Sequence, residues 1–508
     1  MQAHPCWLGL NAKKPLVSKP PFGVNDVKSG VRPMWLGLTK KAMRGVAVAT
    51  ALVFTLGASA DKLQAETLAD ALVGAYQNSG LLDKNRALLR AADEDVAVAM
   101  AALRPIVGWT SSLTYSYSDA VSGSAPLGVT SESVSTTVGL AAELMLYDGG
   151  ANRLRMDIAK ETVLATRESL VSVEQQVLMS AVDAYFEVRR ATEFVRLRRN
   201  NLRVISEELR AARDRFEVGE VTRTDVSIAE ARLAATRAQL AAAEGDLARG
   251  VESYRAVVGR KPGALNAPKA IKSPATSLDG AKALALRTHP DLKRVQHQVS
   301  ASELGILVAE AGKRPQLKIT SNIGVSDTFN SANGGESASL GLSASQPIYQ
   351  GGRLSALERK ARAQRDSARA DLHIGQLQIA QNVGNAWAQL NVARATSAAS
   401  SEQVSAAQVA FRGVREEATL GARTTLDVLD AEQELLDARA SLVSAQIDEV
   451  RAGYMLLATM GLLTAERLNL NVPRYDPAAY YNLVKTAPTS SSKQGKQLDR
   501  VLKSLGKE

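Results

Sequence analysis

Side chains able to do covalent or metal chemistry are few in this sequence and badly spaced for it. Beyond residue 65 the histidines are His289, His297 and His373, none in a metal-binding spacing, and no nucleophile motif or phosphate loop occurs. His289-Pro290-Asp291 reads as a helix start, because proline is tolerated in the first turn. The sole cysteine, Cys6, precedes an expected cleavage site, so the mature chain should carry no disulfide, no lipid-modified N-terminal Cys and no thiolate metal site. Neither an enzyme nor a cofactor is expected. What recurs instead is a set of turn glycines flanked by polar groups. Tyr147-Asp148-Gly149-Gly150 returns as Tyr349-Gln350-Gly351-Gly352, Val218-Gly219 as Leu420-Gly421, Thr224-Asp225-Val226 as Leu426-Asp427-Val428, and Val258-Gly259 as Met460-Gly461, all at an offset of 202.

Long elements must hold these turns apart. No proline occurs between Pro126 and Pro262 or between Pro347 and Pro473, which permits long helices. After the first Gly-Gly, Met156, Ala159, Val163, Thr166, Leu170, Val173 and Val177 step by 3 and 4, and the stripe resumes through Leu202, Ile205, Leu209, Ala212 and Phe216. The pattern restarts beyond Gly219 as Val226, Ala229, Leu233, Thr236, Leu240, Ala243 and Leu247, and the second copy repeats it after Gly421. Each copy therefore predicts a helical hairpin with its tip at the glycine. The long arm, 151–217, spans roughly 100 Å at ~1.5 Å per residue. It is matched by two half-length helices stacked end to end, 67–103 and 222–258.

Between the half-helix and the long helix the period drops to 2. Val107, Trp109, Leu113, Tyr115 and Tyr117 alternate with Gly, Ser and Thr, as do Val134, Val138, Leu140, Ala142, Leu144 and Leu146. The second copy offers Leu317, Ile319, Ile323, Val325, then Leu340, Leu342, Ala344 and Ile348. Turn-rich loops are expected at 122–126 and 330–335. The segment from the Arg-Pro to the Tyr-x-Gly-Gly is 42 positions long in the first copy and 34 in the second, so the difference falls in one loop.

An apolar run from Val46 to Leu56, preceded by Lys40, Lys41 and Arg44 and followed by Ala58-Ser59-Ala60, reads as a secretory signal peptide. It is too short to span a bilayer core, which needs ~20 residues. Residues 1–33 fit no part of such a signal, and Met34 or Met43 is expected to be the real start. Residues 1–65 hold +7 of the net charge of +10, so the mature chain keeps about +3 in helix-type patterns and no nucleic-acid partner is implied. An exported chain whose strands have one apolar and one small polar face fits a membrane β-barrel with a wet lumen. Four strands cannot close, and an open edge in hydrocarbon is prohibitive. Two chains would give eight strands and three would give twelve; the wall of long helices favours three. Tyr147 and Tyr349, at strand ends beside helix starts, are candidate interfacial anchors or packing groups. The rival reading, a soluble periplasmic tether or adaptor, explains the heptads and leaves the strand edges unexplained.

The duplicated pattern, the Leu-x-Tyr-Asp-Gly-Gly and Pro-Ile-Tyr-Gln-Gly-Gly junctions, and the run from Leu420 to Ala431 resemble the TolC outer-membrane channel family, in its non-lipoprotein secretion and efflux branch. Tyr475-Asp476-Pro477 resembles the tail of that branch. The resemblance implies a mainly α fold with β: duplicated helical hairpins and two β-hairpins per chain. It also implies a homotrimer with a twelve-stranded outer-membrane barrel continued by a periplasmic α-helical barrel. Its partners would be outer-membrane lipid, a periplasmic adaptor and an inner-membrane pump of ABC or RND type. The expected organisation is a leader (1–65), repeat one (66–265, β-hairpin 107–147), a linker (266–277), repeat two (278–470, β-hairpin 317–349) and a periplasmic tail (471–508). By the same resemblance, the tips Val218-Gly219-Glu220 and Leu420-Gly421-Ala422 would dock the adaptor. Arg423 with Thr224 and Asp225 would supply closure links through charge-assisted hydrogen bonds. The aromatic of the family's closure set is absent, Ala418 standing in its place. Threefold symmetry would turn Asp427 and Asp430, one helical turn apart, into stacked acidic rings that attract cations, although Asp427 also lies where a helix N-cap could use it.

Overall fold

The computed structural model describes residues 66–122, 125–268, 274–329 and 334–504. The expected signal peptide, the centres of both hairpin loops, the middle of the inter-repeat linker and the end of the tail lie outside the described residues. The unit Leu63–Glu508 runs α1 (Leu68–Asn78), α2 (Gly80–Ala101), β1 (Ile106–Ser122), β2 (Ala125–Tyr147), α3 (Ala151–Glu217) and α4 (Arg223–Val258). It continues with α5 (Leu278–Thr288), α6 (Pro290–Ala311), β3 (Gln316–Phe329), β4 (Gly335–Ser345), α7 (Arg353–Thr419), α8 (Thr425–Thr459), α9 (Pro477–Val484) and α10 (Lys493–Ser504).

The two long helices, α3 and α7, each have 67 residues. Both begin after a Gly-Gly pair with positive φ, +70° and +90° before α3 and +57° and +83° before α7, a backbone region that glycine enters without steric penalty. The junctions differ in chemistry. Asp148 accepts from the N–H groups of Gly150 (2.9 Å) and Asn152 (2.6 Å), closing orphan donors of the first turn. Gln350 instead accepts from the Arg353 guanidinium at 2.7 Å. The predicted seam is buried at Val163, Val177, Ile205, Leu209 and Ala212, and in the second copy at Ala407, Leu435, Ala438 and Ala445. Wholly buried alanines at 181, 281 and 285 allow helix axes to approach closely in the main core, which gathers around Tyr185, Tyr254, Val383 and Leu463.

Each half-length helix preceding a strand pair is two helices: the first copy breaks at Ser79, where a single helix 67–103 was expected, and the second at His289, where His289-Pro290-Asp291 reads as a helix start. Ser79 adopts an extended conformation and its Oγ caps Leu82 N–H at 3.2 Å. His289 does the same at the equivalent point, its Nδ1 accepting from Asp291 N–H at 3.2 Å ahead of Pro290. Heptad periodicity runs through the break at Ser79, which is why that one was hidden, while Pro290 marks the other. The return helices end against these joints: Asn78 Nδ2 donates to Val258 O at 2.9 Å, and Thr288 Oγ1 to Met460 O at 3.1 Å. The next residue is tightly enclosed in both copies. A Cβ on Gly259 would fall 2.4 Å from Asn78 Nδ2, and one on Gly461 2.7 Å from His289 Cα.

Among the described residues four strands form one antiparallel sheet in the order β1-β2-β3-β4, so the β2–β3 pairing joins the repeats and the outer edges of β1 and β4 have no partner strand there. Register places Trp109 opposite Leu140 and Leu140 opposite Ile323, with Ile319 opposite Leu342. Near the helices this face is apolar and bare in the protomer, Trp109 being 72% exposed and Leu340 76%, and toward the hairpin ends it carries Glu132, Asp327 and Glu336. The other face carries Ser, Thr and Gly, and its charged groups among the described residues are Glu143 and Lys318, paired at 3.5 Å. An irregularity between Met145 and Tyr147 sets Tyr147 opposite Leu317, on the apolar face. Tyr349 is not at a strand end: β4 stops at Ser345, ahead of Pro347, which has no N–H to continue a ladder, and Tyr349 stands 85% exposed beyond it. No helix among the described residues is long and apolar enough to cross a membrane.

The tail returns over the first repeat. Tyr480 on α9 donates to Glu94 Oε1 at 2.7 Å, Arg167 stacks 5.3 Å from the Tyr481 ring centre, and Arg86 lies between Tyr76 and Tyr475. Beneath this cover Asp93 is fully buried, and neither of its carboxylate oxygens has a hydrogen-bond partner among the described residues. Burial pushes its carboxyl up to about 6, against the pull of Arg167 and with a further push from Glu94.

Candidate functional site at the helical hairpin tips

Both tips close by the same local chemistry. At the end of α3, Gly219 (φ +82°) donates to Phe216 O at 3.0 Å and Glu220 N–H to Arg215 O at 2.9 Å; Gly421 (φ +77°) and Ala422 do likewise at 3.2 and 2.9 Å. The return helices start with Thr-x-x-Asp capping boxes. Thr222 Oγ1 accepts from Asp225 N–H at 3.3 Å while Asp225 Oδ2 takes the Thr222 N–H and hydroxyl at 2.9 and 2.8 Å. Thr424 and Asp427 repeat these distances. The cap residues are thus Thr222 and Thr424. Asp225 and Asp427 sit at the third helical position.

These bonds set the charge of the tips. Hydrogen bonds from the backbone and hydroxyl of Thr424, with Arg423 nearby, hold the Asp427 carboxyl below the usual carboxylate range, and Thr222 does the same for Asp225. Both are therefore ionised at neutral pH. Arg423 directs its Nε to Glu417 Oε2 at 2.9 Å, within its own hairpin. It shares a cleft of about 570 Å³ with Asp225, Ala418, Arg215 and Glu220, between the two tips. Thr224 is exposed in the first turn of α4. The tip residues Val218 and Leu420 are 71% and 85% exposed, and Gly219, Glu220, Gly421 and Ala422 are exposed beside them.

Asp430 is not free. Its Oδ1 receives Arg232 NH2 of α4 at 2.6 Å, a link between the two hairpins. Beside it Leu429, 1% exposed, packs among Ile205, Leu209, Ala212 and Ala229. Arg415 of α7 lies 3.7 Å from Glu208 of α3. Glu432 is buried near them, and that burial raises its carboxyl, against Arg439 and Arg415 and with Glu208. Sequence reasoning missed Arg232, Leu429, Glu208, Arg415 and Glu432. Their heptad positions were visible, but which surface of one hairpin faces the other was not.

The sequence profile of a family described as "Outer membrane efflux protein" matches residues 71–260 and 283–462. The chain is 37% identical over 447 residues to the outer membrane efflux protein BepC of Brucella suis biovar 1 (strain 1330), spanning 88% of this chain and 96% of that one. It is 25% identical over 441 residues to the outer membrane protein TolC of Escherichia coli (strain K12), spanning 82% and 87% respectively. Among solved structures, the outer membrane protein VceC from Vibrio cholerae superposes with a TM-score of 0.65 at 21% identity, over 78% of this chain and 96% of that one, a likeness of fold.

Proposed function

The chain belongs to the outer membrane efflux protein family, of TolC-like channels, and on that premise we propose that three copies share one barrel to form the exit duct of a tripartite export system. The protein is an outer-membrane channel component, with its helices extending into the periplasm. The observation that carries the trimer is the sheet: four strands, apolar on one face and small-polar on the other, with two outer edges that lack a partner strand. Edge-to-edge closure of β1 on a neighbour's β4 removes every open edge from hydrocarbon, and three copies give twelve strands around a lumen of Ser, Thr and Gly. Substrate passes by diffusion and no catalytic group is assigned. An inner-membrane pump, of ABC or RND type, and a periplasmic adaptor would supply cargo, the adaptor meeting the exposed residues Val218, Gly219, Glu220, Leu420, Gly421 and Ala422. Tyr147, brought to the apolar face near its base, serves as an interfacial anchor, and Tyr349 as an exposed one beyond the strand.

At the inner end the ionised Asp427 contributes an acidic ring. Asp430 adds less while Arg232 neutralises it. Arg423, Thr224 and Asp225 stand where a link between adjacent hairpins would form, and closure by such links requires Arg423 to exchange Glu417 for an acceptor on a neighbouring tip. The test is fractionation with outer membranes, the native mass of detergent-purified protein, and planar-bilayer conductance. A trimer with small, cation-selective conductance that grows in Arg423→Ser supports the reading. A membrane-inserted protein with no conductance refutes it.

A further inference from the structure

The tail beyond α9 is built with more care than a loose end needs. Ala487 takes φ +45°, a left-handed backbone that penalises any residue with a Cβ. The Arg104 guanidinium holds the turn there, donating to Thr486 O at 2.5 Å and to Ala487 O at 2.9 Å. Thr486 Oγ1 in turn donates to Gln494 Oε1 of α10 at 3.1 Å. Gly495 is buried so closely against the preceding turn that a Cβ on it would fall 2.1 Å from Thr489 O. Arg104 stands two residues before Ile106, where β1 begins, a span of roughly 7 Å at ~3.3 Å per residue. The start of α10 is therefore held near the base of the sheet.

The two sides of α10 differ in kind. Leu498, Val501 and Leu502 share one side at helical spacing, with Leu498 and Leu502 half-buried, whereas Lys493, Lys496, Arg500 and Lys503 share the opposite side and are exposed. Asp499 is the one acid in the helix. Among the described residues Lys493, Lys496 and Arg500 have no carboxylate partner. Their spacings of three and four place like charges side by side, which disfavours an isolated helix. An anionic surface is what this side lacks.

We propose that the basic side of α10 binds anionic phospholipid headgroups of the periplasmic leaflet of the outer membrane, so that three such helices collar the duct where it enters the bilayer. This rests on the duct reading above, which sets the sheet in the membrane. The chemistry is phosphate recognition by ammonium and guanidinium groups, indifferent to headgroup identity beyond its charge and screened by salt. Each basic residue close to an anionic surface favours the docked helix by roughly fivefold, so neutralising three should weaken docking by roughly a hundredfold. Peptidoglycan is anionic too, but the tie of the tail to Arg104, two residues from the sheet, favours lipid.

The experiment attaches a fluorophore at Gln497→Cys, exposed between Lys493 and Arg500, in the full mature protein inserted into lipid nanodiscs. The sole cysteine of the sequence, Cys6, lies in the expected leader. A fraction of the lipids carries a nitroxide on the headgroup, which quenches the fluorophore only near contact. Discs of phosphatidylcholine are compared with discs containing about a fifth phosphatidylglycerol. Ser227→Cys, exposed near the tip of α4, is the distant reference, and trimer content on non-denaturing gels reports folding. Quenching at position 497 should be strong in the anionic discs. It should fall to the neutral-disc value in high salt and, without salt, in Lys493→Gln/Lys496→Gln/Arg500→Gln. Position 227 should stay unquenched throughout. Equal quenching of position 497 in neutral and anionic discs, or none lost in the triple variant, with position 227 unquenched, overturns the headgroup contact and leaves the duct standing. Binding to purified peptidoglycan that the triple variant loses, with no effect of anionic lipid, assigns this side of α10 to the cell wall and likewise overturns it. Failure to insert, or position 227 quenched as strongly as 497, overturns the duct, and the headgroup contact with it.

Discussion

Replacing Asp93 with asparagine should stabilise the protein at neutral pH and leave it unchanged in acid. The carboxyl is fully buried on α2 under the tail, with both oxygens unpartnered, and burial raises it from 3.8 to about 6, opposed by Arg167. The sign follows from which state holds the proton. Below about pH 4 the carboxyl is protonated folded or unfolded and the site is neutral to stability; between about pH 4 and 6 the unfolded chain has released the proton and the folded one has not, so folding becomes progressively less favourable. Above about pH 6 the full penalty applies. A shift of about two units at ~1.4 kcal/mol each gives close to 3 kcal/mol as an upper figure, which water penetrating around the tail would reduce to about 1–3 kcal/mol. Asparagine keeps the shape of the neutral acid. Urea unfolding followed by far-ultraviolet circular dichroism, at about pH 4 and pH 7.5, should show a later midpoint for Asp93→Asn at the higher pH only. An equal difference at both pH values, or a variant less stable at pH 7.5, would refute the reasoning and show that Arg167 or bridging water already satisfies the charge.

Other outcomes follow at the tips and the joints. Asp427→Asn should lower cation selectivity, whereas Thr424→Ala should leave selectivity intact and loosen the start of α8 by about 1 kcal/mol; reversal potentials and thermal unfolding separate the two roles. Because Thr424 holds the Asp427 carboxyl low, selectivity should persist to pH values below the ordinary carboxylate range and vanish as pH falls through that lowered value. Ala418→Tyr places a ring in the tip cleft and should reduce conductance in an intact trimer, with an unchanged or larger conductance counting against closure at this level. Gly461→Ala, forced into positive φ 2.7 Å from His289 Cα, should destabilise by roughly 1–3 kcal/mol or more. Gly413→Ala, in open space inside α7, should be neutral or stabilising by up to about 1 kcal/mol, as thermal unfolding would report.

The sequence made the repeat legible because its markers are backbone requirements. Gly150, Gly219 and Gly259, with Gly352, Gly421 and Gly461, all take positive φ, so the same residue type recurs wherever a long helix begins or ends. The strands were legible because one face wants hydrocarbon and the other water. Three features were hidden for identifiable reasons. The break at Ser79 interrupts the axis without disturbing the apolar stripe, whereas the one at His289 was marked by Pro290. The irregularity before Tyr147 moves that ring across the sheet, while Pro347 ends the ladder before Tyr349, and simple alternation foresees neither. At the tips, Asp427 could be placed near a helix start from sequence, but the partners of Arg423 and Asp430 depend on how two hairpins are rotated against each other. Periodicity within one hairpin carries no information about that rotation.

The two β-hairpins are unequal in height. β2 pairs with β3 only from Val134 to Tyr147, and its earlier residues pair with β1 alone, so the first hairpin stands free of its neighbour beyond Phe329. In a threefold assembly this gives an outer rim of alternating tall and short projections. On the proposed duct the free stretch would lie beyond the part of the sheet shared by both hairpins, so sequence change there should carry little penalty for conduction or for seating in lipid. On that duct it would be the outermost part of the barrel. Sequence change should therefore be tolerated at the described residues 116–122 and 125–133, and an epitope tag inserted among them should be displayed on intact cells without loss of export.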